Sequence, residues 1–453
     1  MTGSDHIKQR RRVRRTGVPR IELGVSGYLL IGFLAVAIAI GGGGVPAVRL
    51  EGLTILFAIG VLGYLAVKPS VLDRRMPLGA WLLAAALPLL ILLHLVPLPV
   101  SLWTSLPLRA PLVTALQALG EPLPAWPLSI DPASTWWSLL SLLPPFAAFI
   151  LAYTLDRNKV PAVLLAIAGL AAASGLLEAA QAIIGDAFFL HSRSIDAGPS
   201  GFFANQNSQA TFLVIGIVAI VTLVWLDPRS RKYLPVLVTG GLFLVLCVLM
   251  TRSRAGAGLL LVPLVMIAVM AFVKSADRRK WALGSLVTLA ALPVVIFGAL
   301  QIEQIRKLAD RFGDLSSGRA QDIWPDAWYL AQEAWPWGMG IGTFRQSFEL
   351  VERLEVVDTT TANRAHLDWL EFVIEAGLPA VILLIVGLGA IVWSIWRKRK
   401  RLGPAEVFSM GALLIIALHS SVDYPLRAIS LAVMAAAAMA WILSDGTHFE
   451  KPN

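Results

Sequence analysis

Between Gln301 and about Asp368 the chain carries its one long hydrophilic run, and the residue types in that run are suited to polar chemistry. Arg319, Asp322, Glu333, Arg364 and His366 supply charge or a titratable ring; Trp324, Trp328, Trp335 and Trp337 supply flat apolar faces; GMGIGTF supplies a glycine-rich turn. Guanidinium groups stay charged and grip phosphate oxygens two at a time. An imidazole titrates near neutral pH and can accept the proton of an attacking hydroxyl. Indole faces stack on sugar rings, although they also gather at membrane interfaces whatever the activity. The set fits holding a sugar chain and a phosphate.

The elements that position this run are apolar. Of 453 residues 57% are hydrophobic and 15% charged, and the mean hydropathy is +0.72, beyond what an ordinary soluble domain carries. Apolar stretches long enough to cross about 30 Å of hydrocarbon fall near 27–44, 50–67, 78–96, 136–155, 160–184, 207–226, 233–250, 256–273, 281–300, 372–396, 406–422 and 427–443. This predicts an all-α integral membrane protein of about twelve transmembrane helices with one large outer loop, about 301–368. The corresponding domain plan is a basic cytoplasmic tail (1–26), nine helices within 27–300 with outer loops 97–135 and 185–206, a catalytic loop (301–368), three helices within 369–443, and a cytoplasmic tail (444–453).

Orientation follows from the positive charges. With the N-terminal cluster KQRRRVRR inside, the inner connections KPSVLDRR, LDRNK, LDPRSRK, KSADRRK and WRKRKR are all basic, as cytoplasmic loops should be. The net charge of +9 is therefore a topology signal, not a nucleic-acid footprint. Cys247 is the single cysteine and lies in an apolar run, which excludes a disulfide framework within one chain. The 97–135 loop is proline-rich with an amphipathic piece near 109–119 that suits the interface, and 185–206 reads as an ordered loop at the membrane edge.

Cations that break the inside rule are the ones to explain. On the outer side they are Arg49, the pair Arg252 and Arg254 in TRSRAG, Arg427 in HSSVDYPLR, and Arg319 in the long loop. Snorkelling accounts readily for Arg49, whereas two arginines two residues apart repel unless an anion lies near them. Phosphate binding, headgroup anchoring and internal ion pairs all remain open for this set. His366 stands where the polar loop turns into a helical pattern through Leu370, Val373 and Ile374, so it projects near a first turn, as a base or as a helix-start residue. His419 and Asp423 are close in sequence and are supporting or acceptor-side candidates, as are Asp322, Asp368 and Trp324. Asp322 and Asp326 also suit a solvated face. GMGIGTF lacks the strand and helix of a nucleotide fingerprint and reads as a flexible turn; neither a phosphate-cradling GxxxxGK[ST] loop nor an HExxH zinc helix is present. The first outer loop, GVPAVRLEG, holds no acidic pair, which argues against a metal-dependent membrane glycosyltransferase.

The order of motifs resembles the O-antigen ligase and O-antigen polymerase superfamily. An SRAG element follows a span (Ser253, Arg254), GRAQDIW opens a large outer loop, a histidine opens the next span, and HSSVDYPLR and PLSIDPASTWW also look like that group. The resemblance implies transfer of a glycan from an undecaprenyl diphosphate carrier at the periplasmic side of the bacterial inner membrane, without a metal or other cofactor. It implies that Arg254 and Arg319 hold the diphosphate, with weaker support for Arg252 and Arg427, and that His366, with Arg319, is catalytic. Leu367 departs from the asparagine that often follows the histidine, which leaves acceptor contacts at that position open. Three functions stay in view: a ligase whose acceptor is lipid A-core, a polymerase of O-antigen or exopolysaccharide whose acceptor is a second lipid-linked repeat, and a carrier or flippase for lipid-linked sugars. The carrier predicts charge along a path near mid-membrane. The expected partners are the lipid-linked donor, the glycan acceptor and membrane lipids.

Overall fold

The computed structural model describes residues 22–43, 48–120, 122–191, 198–274, 323–357 and 362–445. The expected ninth span (281–300), Arg319 and Asp322 lie outside the described residues.

The apolar stretches among the described residues are helical, because in lipid a helix satisfies its own backbone groups within one segment. The described helices are α1 (Gly24–Ile40), α2 (Val48–Val67), α3 (Leu78–His94), α4 (Val100–Trp103), α5 (Ala110–Ala118), α6 (Pro132–Ser141), α7 (Leu143–Thr154), α8 (Val160–Ile184), α9 (Gln206–Leu226), α10 (Leu234–Met250), α11 (Arg254–Leu259), α12 (Leu261–Lys274), α13 (Trp324–Glu333), α14 (Phe344–Phe348), α15 (Asp368–Lys398), α16 (Pro404–His419) and α17 (Ile429–Leu443). One pair of two-residue strands, β1 (Pro97–Leu98) and β2 (Trp126–Pro127), closes the 97–135 segment antiparallel. Seven helical segments among the described residues are long and apolar enough to cross a membrane, and α1, α3, α16 and α17 are shorter apolar helices. Each of the eleven expected spans within the described residues coincides with one of these. The amphipathic piece forms α5, which buries none of its side chains.

The core is built around α9, packed by α8, α10, α11, α12 and α16, while α17 packs on α1, α7 and α16. Without a hydrophobic force between helices in lipid, close approach depends on small side chains. A Cβ on Gly216 would come within 2.4 Å of Ala171 Cβ on α8, and one on Gly256 within 2.3 Å of Ala210 Cβ. Polar side chains then fix the register. Gln209 Nε2 donates to Glu178 Oε2 at 2.9 Å, and Ser174 Oγ donates to Gln209 Oε1 at 2.7 Å. One turn further, Gln181 accepts from the amides of Ser200 and Gly201 and donates to Gly201 O. These bonds pin the 198–205 loop, whose last residue, Asn205, caps α9 by accepting from the Asn207 amide at 2.7 Å.

Helix α15 is broken near its start, and the glycine run repairs the break. Gly377 has φ of 57°, and Pro379 has no amide to give the Glu375 carbonyl. Met339 N donates to Ile374 O at 3.0 Å and Gly340 N donates to Glu375 O at 2.9 Å, so both freed carbonyls are satisfied from outside. In return Leu378 N donates to Pro336 O at 2.8 Å. GMGIGTF, expected as a flexible turn, is a pinned strut. Its other side is held by Ile130 N donating to Met339 O and Thr135 Oγ1 donating to Ile341 O, which ties the 97–135 segment to α15.

Candidate functional site

The site forms where the N-termini of α9, α11, α15 and α17 meet the C-terminus of α16. His366 occupies a left-handed turn, with φ of 53°, just before α15, a backbone region uncommon for a residue with a Cβ. The turn aims its ring at the loop after α16. Nδ1 lies 2.9 Å from Asp423 Oδ1, and the ring packs against Tyr424 with centroids 4.7 Å apart. Asp423 is 1% exposed, and its other oxygen accepts from Asn207 Nδ2 at 2.5 Å. Burial alone would raise its carboxyl; hydrogen bonds and charge from His366 and His419 outweigh burial and hold it well below the usual carboxylate range. With Nδ1 engaged by a carboxylate, Nε2 is the nitrogen left to meet a substrate hydroxyl.

Behind the ring stands a cluster of buried charge. Asp368, Glu371 and Glu375 are spaced three and four apart on the first turns of α15, so they share a face. Arg427 Nη2 lies 2.8 Å from Glu375 Oε2 and 3.0 Å from Glu371 Oε1, with Nε 3.9 Å from Asp368 Oδ1. Arg364 adds a second cation, 3.0 Å from Glu371 Oε1. Asp368 also accepts from Ser420 Oγ and from the Leu426 amide, which joins the start of α15 to the loop after α16. Arg427 therefore already serves three carboxylates, which is a helix-fixing geometry.

These residues open onto a cavity of about 3140 Å³. Among the described residues its charged and titratable lining, Glu51, Arg254, Glu352, Arg364, His366, Asp368, Glu375, Asp423, Tyr424 and Arg427, gathers at this one end. Below it the wall is apolar: Val262, Val265, Met266, Val269 and Met270 of α12 face the same space as Leu384, Leu388, Ile391 and Ile395 of α15 and Met439 of α17. Of the seven long segments the one formed by α15 is the least enclosed.

Of the residues expected from sequence, the structure brings His366, Asp423, His419, Asp368, Arg427, Arg254 and Trp324 to this end. Arg254 opens α11 after Ser253, whose hydroxyl caps the helix by accepting from the Gly256 amide at 3.0 Å. Trp324 lines the cavity and donates to Ala365 O, two atoms of backbone from the His366 turn. Arg252 sits in the turn before α11 with φ of 58° and is absent from the described lining of the cavity. Trp328, Trp335 and Trp337 are exposed, in keeping with an interfacial belt. Asp326 accepts from the amide and the guanidinium of Arg353, so it secures the segment after α14. Sequence reasoning did not single out Asn205, Asn207, Tyr424, Glu371 or Glu375. The signal available was the acid spacing in DWLEFVIEAG, since carboxylates on one face of an apolar helix demand cations.

Residues 239–385 match the family model described as O-antigen ligase. That stretch runs from α10 through the break in α15 and includes Arg254 and His366 but not Asp423 or Arg427. No curated protein matches the chain.

Proposed function

We propose that this chain, whose O-antigen ligase domain at residues 239–385 supports its place in the O-antigen ligase superfamily, transfers a glycan from undecaprenyl diphosphate to an acceptor hydroxyl at the periplasmic face of the bacterial inner membrane. The observation that carries this reading is the cavity itself. One end holds a histidine–aspartate pair with arginines, and the rest is apolar to the depth of the bundle, a division that suits a lipid diphosphate with its tail in the membrane. Charge gathered at one end also sets the reading apart from a carrier.

In the proposed reaction Arg254 and Arg319 face the diphosphate. The acceptor oxygen bonds to the anomeric carbon while the bond from that carbon to the diphosphate oxygen breaks, with inversion. The acceptor proton passes to Nε2 of His366. Asp423, kept ionised, holds Nδ1–H and stabilises the imidazolium that forms. The arginines accelerate the step to the extent that they bind the departing diphosphate more strongly than the bound substrate. Arg427 is assigned to hold the start of α15 in place instead of gripping phosphate. Lipid A-core is the favoured acceptor, as in a ligase; a second lipid-linked repeat, as in a polymerase, would use the same site.

The test uses purified protein in chelator with an undecaprenyl-diphosphate glycan and the two acceptors offered separately. Transfer to lipid A-core is expected, and His366→Ala or Asp423→Asn should lower the rate by roughly 10²–10⁴-fold while the protein still melts cooperatively. Growth on the lipid carrier instead would identify a polymerase. Full activity in both variants would remove the pair from the chemistry.

A further inference from the structure

A second imidazole meets the same carboxylate from inside the bundle. His419, the last residue of α16, is 1% exposed. Its Nε2 lies 3.7 Å from Asp423 Oδ2 and makes no hydrogen bond among the described residues. Its Nδ1 is 2.6 Å from Thr211 Oγ1 on α9. The Thr211 hydroxyl is also 3.0 Å from the Asn207 carbonyl one helical turn back.

Proton accounting restricts what His419 can be. A hydroxyl has one proton to give. If Thr211 donates it to Nδ1, His419 is neutral and its proton sits on Nε2. If Thr211 donates it to Asn207 O instead, Nδ1–H donates to Thr211 and a neutral ring turns a bare Nε2 lone pair on a buried carboxylate, which is the less favourable arrangement. The favoured arrangement places an Nε2–H toward Asp423. Asn207 brings a second N–H to the same oxygen at 2.5 Å. Oδ2 is thus occupied from the bundle side, and Oδ1 is the oxygen presented to His366.

We propose that His419 and Asn207 are positioning residues that hold Oδ2 of Asp423 from the bundle side and so set how strongly Oδ1 holds the ring of His366. The consequence has a sign. Each donor on Oδ2 draws carboxylate charge away from His366, so removing one leaves more negative charge beside that ring and favours its protonated form, which cannot act as a base. Other groups that bear on the balance are Thr211 and Asn207 from α9, Arg254 from α11, Asp368 and His366 itself from the start of α15, and Tyr424 and Arg427 from the loop after α16. The inference rests on the proposed role of His366 for its kinetic arm only.

The experiment compares the parent with His419→Leu and Asn207→Leu, and with His419→Gln, whose amide can restore one donor. Full-length protein in detergent is treated with diethylpyrocarbonate at pH 5.5 to 8.5, and modification of His366 is followed by mass spectrometry, which needs no activity. Since only the neutral ring reacts, the leucine variants should show about tenfold slower modification than parent at the acid end and near-equal rates at pH 8.5, with partial recovery in His419→Gln. Glycan transfer should follow the same pattern, the loss growing as pH falls. A loss equal at every pH, or no loss, in the modification arm overturns the proposal. If that arm behaves as expected and no transfer is found with either acceptor, the positioning role stands and the glycosyltransferase reading fails.

Discussion

Replacing Arg427 with methionine tests whether this cation is a structural hub or a substrate ligand. Its guanidinium lies 2.8 Å from Glu375 and 3.0 Å from Glu371, and both carboxylates are fully buried. At an effective dielectric near 20 each contact corresponds to about 6 kcal/mol of Coulomb attraction, much of it spent on desolvation. The loss does not fall evenly. Glu371 keeps Arg364 and the Ala365 amide. Among the described residues Glu375 has Arg427 alone on Oε2 and no partner on Oε1, so it becomes a buried, uncompensated carboxylate. Removing one partner of such a pair costs about 3–5 kcal/mol. Thermal unfolding in detergent should therefore drop by several degrees in Arg427→Met, and Arg427→Met combined with Glu375→Gln should recover at least half of the loss, because the second change removes the stranded charge. Arg427→Lys should fall between, since an ammonium lacks the planar fork that reaches two carboxylates together. Melting of Arg427→Met with the parent, together with a raised KM for the lipid diphosphate, would refute the hub and return Arg427 to the diphosphate.

Two further outcomes follow from the geometry. Gly377→Ala puts a Cβ 2.1 Å from Pro336 O in a residue with φ of 57°, so both contact and backbone oppose it; a loss of about 1–3 kcal/mol should appear in thermal unfolding, whereas Gly387→Ala, where no atom of the described residues lies within 4 Å of the added Cβ, should be neutral or stabilising. Asp423 has a depressed folded-state carboxyl, so its stabilising contribution is present above the unfolded value of about 3.9 and is lost as pH falls further toward the folded value. The stability gap between parent and Asp423→Asn should accordingly shrink as pH falls below about 4; a gap that keeps growing below that pH contradicts the assignment.

The helical membrane architecture was legible because apolar length is a one-dimensional signal: a run such as Gln206–Leu226 announces a span without reference to any neighbour. His366 was legible for a related reason, since the change from polar loop to helical period at Leu370 and Ile374 marks where a side chain must sit at a helix start. Two features fell outside what local pattern carries. The flexible reading of GMGIGTF assumed that glycines spend their freedom on motion. Here they spend it on close approach: the carbonyls of Ile374 and Glu375, set free by Gly377 and Pro379, take the amides of Met339 and Gly340, and that pairing joins residues about 35 apart. A break in a helix and a glycine run elsewhere are each visible in sequence, but the fact that one repairs the other is not.

The arginines show the same limit from the side of charge. Sequence placed Arg254 and Arg427 together as outer-side cations and left phosphate, headgroup and internal carboxylate open as their anions. For Arg427 the chain brings its own: Glu371 and Glu375 approach it because Asp368, Glu371 and Glu375 share one face of α15 and that face turns inward. The acid spacing was in the sequence, yet whether an arginine is met by protein or by substrate depends on which helix end stands opposite, and that is tertiary information. The same argument makes Asp423 intelligible. An aspartate four residues after His419 reads as a local pair, whereas the fold gives its first oxygen to His366 and leaves its second to Asn207 and His419. What looked like two separate histidine motifs is one carboxylate shared between them.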